Sequence, residues 1–186
     1  LFQKTIKENE NSFISPLSVL LALSMTANGA NTITKEEMEA LLAGGSSLEE
    51  LNEYLYSYVK QLPSEKGSKL NIANSIWFRD DEKRFTVKQD FLQKNATYYG
   101  AAAFKSPFDD TTKKDINLWV KNNTDGMIDE IIDQGDQDTV MYLINAVVFD
   151  ARWENVYKKN DIYSGEFTAW DGTKRSVKMM KSDESL

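Results

Sequence analysis

Neither cysteine nor histidine occurs in the 186 residues of this chain. The first absence excludes a disulfide framework and a thiolate metal site, and it leaves the redox compartment open, because disulfide-free proteins work in every compartment. The second removes the usual general base, the Ser-His-Asp and Cys-His arrangements and most zinc sites. No nucleophile–base pair or phosphate loop stands in their place, so an enzyme is disfavoured and no cofactor is expected. Long apolar runs are missing too, none approaching the roughly 20 residues that span a bilayer. No signal peptide opens the chain, although a mature or trimmed form would have lost one. Basic runs are absent, and with a formal charge of −7 this argues against nucleic acid as the main partner. What is present is ordinary for a globular protein, 41% hydrophobic and 27% charged residues, enough for one domain with a sizeable core.

Helix signals dominate the first third. Ser15 before Pro16 places an N-cap ahead of a proline at the first helical position. That helix carries Leu17, Leu20, Leu21 and Met25 on one face and ends near Asn28-Gly29. Thr34 and Glu37 form a capping box before Met38, Leu41 and Leu42, with Gly44-Gly45 as the stop. Ser47 and Glu50 repeat the device ahead of Leu48, Leu51, Leu55, Tyr58, Val59 and Leu62 at helical spacing.

After residues 63–69 the period becomes two. Leu70, Ile72, Ile76 and Phe78 alternate with Asn71, Ala73, Ser75 and Trp77, which predicts a strand in a largely covered sheet. A helix is expected over 88–99, a short strand over 101–104, and a helix over 115–128 that buries Ile116, Trp119 and Val120. Two strands near 166–170 and 174–180 flank Asp171-Gly172, a strong hairpin signal. Helices come first and strands interleave with helices afterwards, so the class is α+β.

The run from Thr139 to Trp153, TVMYLINAVVFDARW, suits a strand buried on both faces, because both alternating sets are apolar. Val140, Tyr142, Ile144, Ala146 and Val148 make one set; Met141, Leu143, Val147 and Phe149 make the other. Asn145 interrupts the second. A buried amide without partners costs on the order of 1–3 kcal/mol, so Asn145 should be held in a polar contact.

Read together, these segments resemble the serpins, a family of conformationally trapped protease inhibitors. Asn11-Ser12-Phe13-Ile14-Ser15-Pro16-Leu17-Ser18 is similar to the family's strand-into-helix motif behind its main sheet. In INLWVKNNTDGMI, Asn117, Trp119, Val120, Thr124, Gly126 and Ile128 match the helix lying across the front of that sheet. Leu143-Ile144-Asn145-Ala146 followed by Trp153 matches the central strand and the Trp at its top. Gly165, Phe167, Gly172, Val177 and Met179-Met180 continue the match, and Thr34 and Met38 fit the helix between. Met127 departs from the pattern, standing where the family usually carries Lys.

The resemblance implies a serpin fold, helices packed on a large mixed sheet with two smaller sheets, of which residues 1–186 would be the N-terminal portion of a single domain. It implies suicide inhibition: a protease cleaves an exposed reactive loop, forms an acyl-enzyme, and is dragged away as the loop inserts into the main sheet. Ser15, Ser18 and Asn145 would then form the polar shutter beneath the opening point. Trp153 would mark the breach where the loop enters, and Asn117, Trp119, Thr124 and Gly126 would belong to the front helix that shifts as the sheet parts. Small hydroxyls and an amide suit a shutter because they exchange partners without leaving a cavity.

The implied partners are a target protease, serine or less often cysteine, and a C-terminal remainder carrying the reactive loop, its hinge and the family's further polar-cluster histidine. Without that remainder, residues 1–186 are expected not to inhibit, and to aggregate or be molten because the central strand would keep an unpaired edge. An extracellular or cell-surface location follows from the resemblance, with the cytoplasm open; the lack of cysteine and the compact loops suit a prokaryotic member. A non-inhibitory serpin acting as carrier, chaperone or storage protein is the alternative, told apart by its hinge residues.

Plainer readings stand beside these. Ser15 can be an N-cap only, Asn145 an amide tying down a loop, and Trp153 and Trp119 core aromatics. Asp133, Asp136 and Asp138 lack the glycine and distal glutamate of a calcium loop, so no metal is expected. Asn95-Ala96-Thr97 and Asn122-Asn123-Thr124 are formal glycosylation sequons.

Overall fold

In the computed structural model, which describes residues 2–7, 10–62, 68–133, 138–152 and 157–181, the chain divides into two compact units. One is Ser15–Asp150; the other joins residues 1–14 to residues 151–186. Trp153 and Asp136 lie outside the described residues.

Three capped helices open the larger unit. Ser15 Oγ accepts from Ser18 N at 3.3 Å and Pro16 begins α2, Pro16–Ala27. The next helix, α3, Thr32–Leu42, starts earlier than the expected Thr34–Glu37 box. Asn31 is its cap, its Oδ1 accepting from Thr32 N at 2.9 Å, so Thr34 falls inside the first turn. Gly44 and Gly45, with φ of 61° and 100°, supply the left-handed turn that ends it. Helix α4, Leu48–Gln61, has the reciprocal Ser47–Glu50 box in full.

Strands β1, Ser68–Arg79, β2, Ala102–Ser106, and β3, Met141–Ala151, form a sheet in the order β2-β1-β3. Between β1 and β2 lies α5, Gln89–Tyr99, which lets those two strands pair in parallel from Ser75↔Ala102 to Arg79↔Ser106. Arg79 N donates to Val140 O at one end of the β1–β3 pair, and Asn74 meets Asn145 further along, so these strands run antiparallel.

Alternation along the strands feeds two cores. On one face Ile76 packs with Leu21 and Met25 of α2, Leu51 and Leu55 of α4, and Phe91 and Tyr99 of α5, with Met141 and Leu143 of β3 against them. On the other, Trp77 and Ile144 pack beneath Ile116 and Val120 of α6, Asp110–Asn123. The expected double burial of β3 is uneven. Ile144, Ala146 and Val148 are buried, whereas the alternate set is only half-buried and Phe149 is 71% exposed.

Helix α6 begins and ends earlier than its expected span of 115–128. Asp109 is the cap, accepting from Thr111 N and Thr112 N at 2.9 and 3.2 Å. Thr124 is the C-cap and Gly126, at φ 76°, lies in the turn beyond.

The smaller unit holds α1, Phe2–Thr5, and a hairpin of β4, Ile162–Thr168, with β5, Lys174–Met180. Pairing runs antiparallel from Ile162↔Met180 to Thr168↔Lys174, so β4 begins before the expected residue 166. The turn uses Asp171-Gly172 as expected: Asp171 Oδ1 accepts from Thr173 N at 2.8 Å and Gly172 takes φ 81°.

Candidate functional site

Asn145 lies on the α2 face of β3, between the half-buried Leu143 and Val147. Both ends of its side-chain amide are hydrogen-bonded. Ser18 Oγ donates to Asn145 Oδ1, and Asn145 Nδ2 donates to Asn74 Oδ1 on β1 at 2.7 Å. Asn74 Nδ2 in turn donates to the Tyr99 carbonyl at 2.8 Å. A single polar line therefore ties α2, β3, β1 and the end of α5, with Ser15 joined through the Ser18 backbone. Ser15, Ser18 and Asn145, brought together from distant sequence, are half-buried here, and Asn74 is buried. Hydrogen bonds in such a setting gain from low dielectric, and leaving any one group unpaired is costly.

Asn74 did not enter the sequence-derived set, yet it gives the same signal as Asn145. It interrupts Leu70, Ile72, Ile76 and Phe78 just as Asn145 interrupts its own apolar series.

A second polar cluster lies behind the line. Tyr99 Oη donates to Asn52 Oδ1 at 2.6 Å, Asn52 Nδ2 to Asn28 Oδ1 at 2.8 Å, and Asn28 Nδ2 to Asn95 Oδ1 at 3.0 Å. Asn95, wholly buried, donates to the carbonyls of Met25 and Phe91. Burial pushes the Tyr99 phenol up to about 12, opposed in part by the neighbouring Ser24 hydroxyl, although Ser24 Oγ itself makes no hydrogen bond of normal geometry among the described residues.

The residues expected on the front helix play separate parts. Asn117 Oδ1 accepts from Ile131 N and Ile132 N at 3.0 and 3.2 Å, and its Nδ2 donates to Ile132 O at 2.9 Å. It thus clamps the segment after the helix back onto α6. Trp119 is half-buried against the Trp77–Ile144 cluster. Thr124 and Gly126 are not on the helix as expected but form its terminator. Thr124 Oγ1 donates to Val120 O at 2.8 Å and accepts from Ile128 N at 3.2 Å, while Gly126 N donates to Lys121 O. The buried side of α6 shares one apolar cluster with Trp77 of β1 and Ile144 of β3, and Phe104 of β2 stacks on Trp77 at its margin.

Among the described residues no three acidic side chains gather as a metal site, and no helix is long and apolar enough to cross a membrane. The first sequon is structural, since Asn95 is wholly inside the protein.

Helix α6 packs on one face of the sheet, and the Ser18–Asn145–Asn74 line lies on the other, with Ser18 and Asn145 among the expected residues and Asn74 added by the structure. The family model of the serpins, serine protease inhibitors, matches residues 1–186. The chain belongs to the serpin family. Tengpin, a thermophilic serpin solved in native and latent states, is 52% identical to it over 96% of this chain, with TM-scores of 0.89 and 0.88. The match covers 46% and 48% of those two tengpin chains. Human neuroserpin is 31% identical over 93% of this chain and 43% of its own length, and Serpin-ZX of Arabidopsis thaliana 29% over 96% and 47%. The chain thus spans about half the length of the curated relatives it matches. The α+β serpin fold is accordingly that of the family's N-terminal half.

Proposed function

We propose that the chain is the sheet-opening portion of an inhibitory serpin, acting by suicide inhibition on a serine protease, with the reactive loop supplied by sequence beyond these residues. The observation that carries this reading is the Ser18–Asn145–Asn74 line. It crosslinks β3 to β1 and to α2 through small polar groups alone, which can break and re-form as strands move without opening a void. On this reading Ser15, Ser18 and Asn145 are the shutter, Trp153 lies at the breach, and α6 must ride on the sheet as it parts. The driving energy is the difference between a trapped native state and a more stable inserted one, so the native state is held kinetically. Tengpin, known in both a native and a latent state, is the kind of relative that supports such a two-state sheet. An extracellular site of action accords with a relative named plasma serine protease inhibitor.

The test is incubation of the intact protein with a panel of serine and cysteine proteases, followed by denaturing electrophoresis. A covalent complex that survives denaturation is expected with at least one serine protease. Cleavage in the loop without any complex would instead place the protein among non-inhibitory serpins.

A further inference from the structure

The two amides of the latch could point either way if their partners were all hydroxyls or other amides, because an amide presents donors on one side and an acceptor on the other. One partner removes that freedom. A backbone carbonyl accepts and cannot donate, and the Tyr99 carbonyl receives Asn74 Nδ2. Asn74 must therefore turn its oxygen toward β3, where Asn145 has to present its amino group. Asn145 Oδ1 is then left facing α2, and Ser18 has to donate to it. We infer that the C-terminus of α5 sets the direction of the whole latch, with Tyr99 as a positioning residue that makes Ser18 an obligate donor.

The local sequence prepares Tyr99 for this. Gly100 takes φ 60°, and the amides of Gly100 and Ala101 close the helix on Ala96 O and Asn95 O. The Tyr99 carbonyl is left outside the helix ladder, at the negative end of the helix dipole, as an acceptor in need of a donor. The phenol at the other end of the same residue is anchored on Asn52, which fixes where that carbonyl lies. The inference deepens the shutter reading and rests on it for its functional meaning, but the direction of the hydrogen bonds is testable by itself.

Asn145→Asp is the decisive variant. The introduced carboxylate, when ionised, still accepts from Ser18, yet it sets an oxygen against Asn74 Oδ1, which cannot turn away without abandoning the Tyr99 carbonyl. Helix α2 carries no titratable side chain, and on β3 Tyr142 is stacked on Phe108 while Asp150 is exposed near the strand's end. The Tyr99 phenol is turned onto Asn52, and Lys60, Tyr56 and Tyr98 line a cavity of about 220 Å³ beside Asn74 rather than Asn145. The polar-cluster histidine expected beyond these residues is replaced by Gln in both the parent and the N145D backgrounds, so that its own titration does not enter. Thermal unfolding of the intact protein, followed from about pH 8 to about pH 5, should then show a Tm deficit for N145D that shrinks by several degrees as the acid is protonated and regains a donor. With the opposite direction the new carboxylate would accept from both neighbours, and the deficit of N145D would hold steady or grow in acid; that result overturns the inference.

If N145D does not fold, neutron diffraction on the wild-type protein gives the same answer. Deuterons on Asn74 toward Tyr99 O, and on Asn145 toward Asn74, support it; the reverse placement overturns it. Protease-complex formation by the wild-type protein is scored separately. Its absence would count against the inhibitory reading while leaving the direction of the latch to these two measurements.

Discussion

Ser18 on α2 donates its hydroxyl proton to Asn145 on β3, a contact that closes across 127 residues of sequence. Removing either partner leaves the other half-buried and without this hydrogen bond. Asn145→Ala, which orphans both Ser18 Oγ and Asn74 Oδ1, should cost about 1–3 kcal/mol, and Ser18→Ala about 1 kcal/mol. The two effects should fall short of additivity in a double-mutant cycle by roughly 0.5 kcal/mol or more, measured by denaturant unfolding of the intact protein. Additive losses would mean that the contact contributes nothing of its own.

The Tyr99 phenol gives a dependence on alkaline pH. Its value in the folded state, about 12 against an ordinary 10, means that the folded protein holds this proton more tightly than the unfolded chain. The associated stability is complete below about pH 10 and is lost as pH rises through about 12, amounting to about 2–3 kcal/mol. Tyr99→Phe should cost about 1 kcal/mol near neutrality, through Asn52, and should flatten the decline in stability above pH 10. Equal alkaline slopes for the two proteins would rule the assignment out.

Asn117 holds three main-chain groups of the segment beyond α6. Asn117→Ala should therefore free that segment locally, raising hydrogen exchange at the Ile131 and Ile132 amides by roughly tenfold or more while the buried sheet amides stay protected. Thr124→Val should do the same at Ile128, whose amide donates to the Thr124 hydroxyl. Uniform acceleration across the sheet would show instead that these residues act on global stability.

Asn95 should stay unmodified even when the protein is secreted from a glycosylating host, because its amide is wholly buried and donates to two helix carbonyls. Intact-mass analysis after glycosidase treatment reads this directly. Asn95→Asp should unfold or strongly destabilise the protein, since a carboxylate would face the Met25 and Phe91 carbonyls with no proton to give.

The features legible in sequence were those that a few neighbouring residues decide. The Ser15-Pro16 start, the Ser47–Glu50 box and the Asp171-Gly172 turn all form as expected, because each is a contact between residues at most three apart. Where two local signals compete, the structure takes the earlier one: Asn31 caps α3 in place of Thr34, and Asp109 opens α6 ahead of residue 115.

By itself, the sequence determined the alternation of elements, the family, and the fact that Asn145 needed a polar partner, since an amide in an apolar series must be satisfied somewhere. Only the tertiary structure decided which groups satisfy it. Asn74 and the Tyr99 carbonyl reach the latch through strand pairing and the way α5 ends. A hydrogen bond between groups far apart in the chain depends on positions to within a fraction of an ångström, and those positions come from packing that no short stretch of residues encodes.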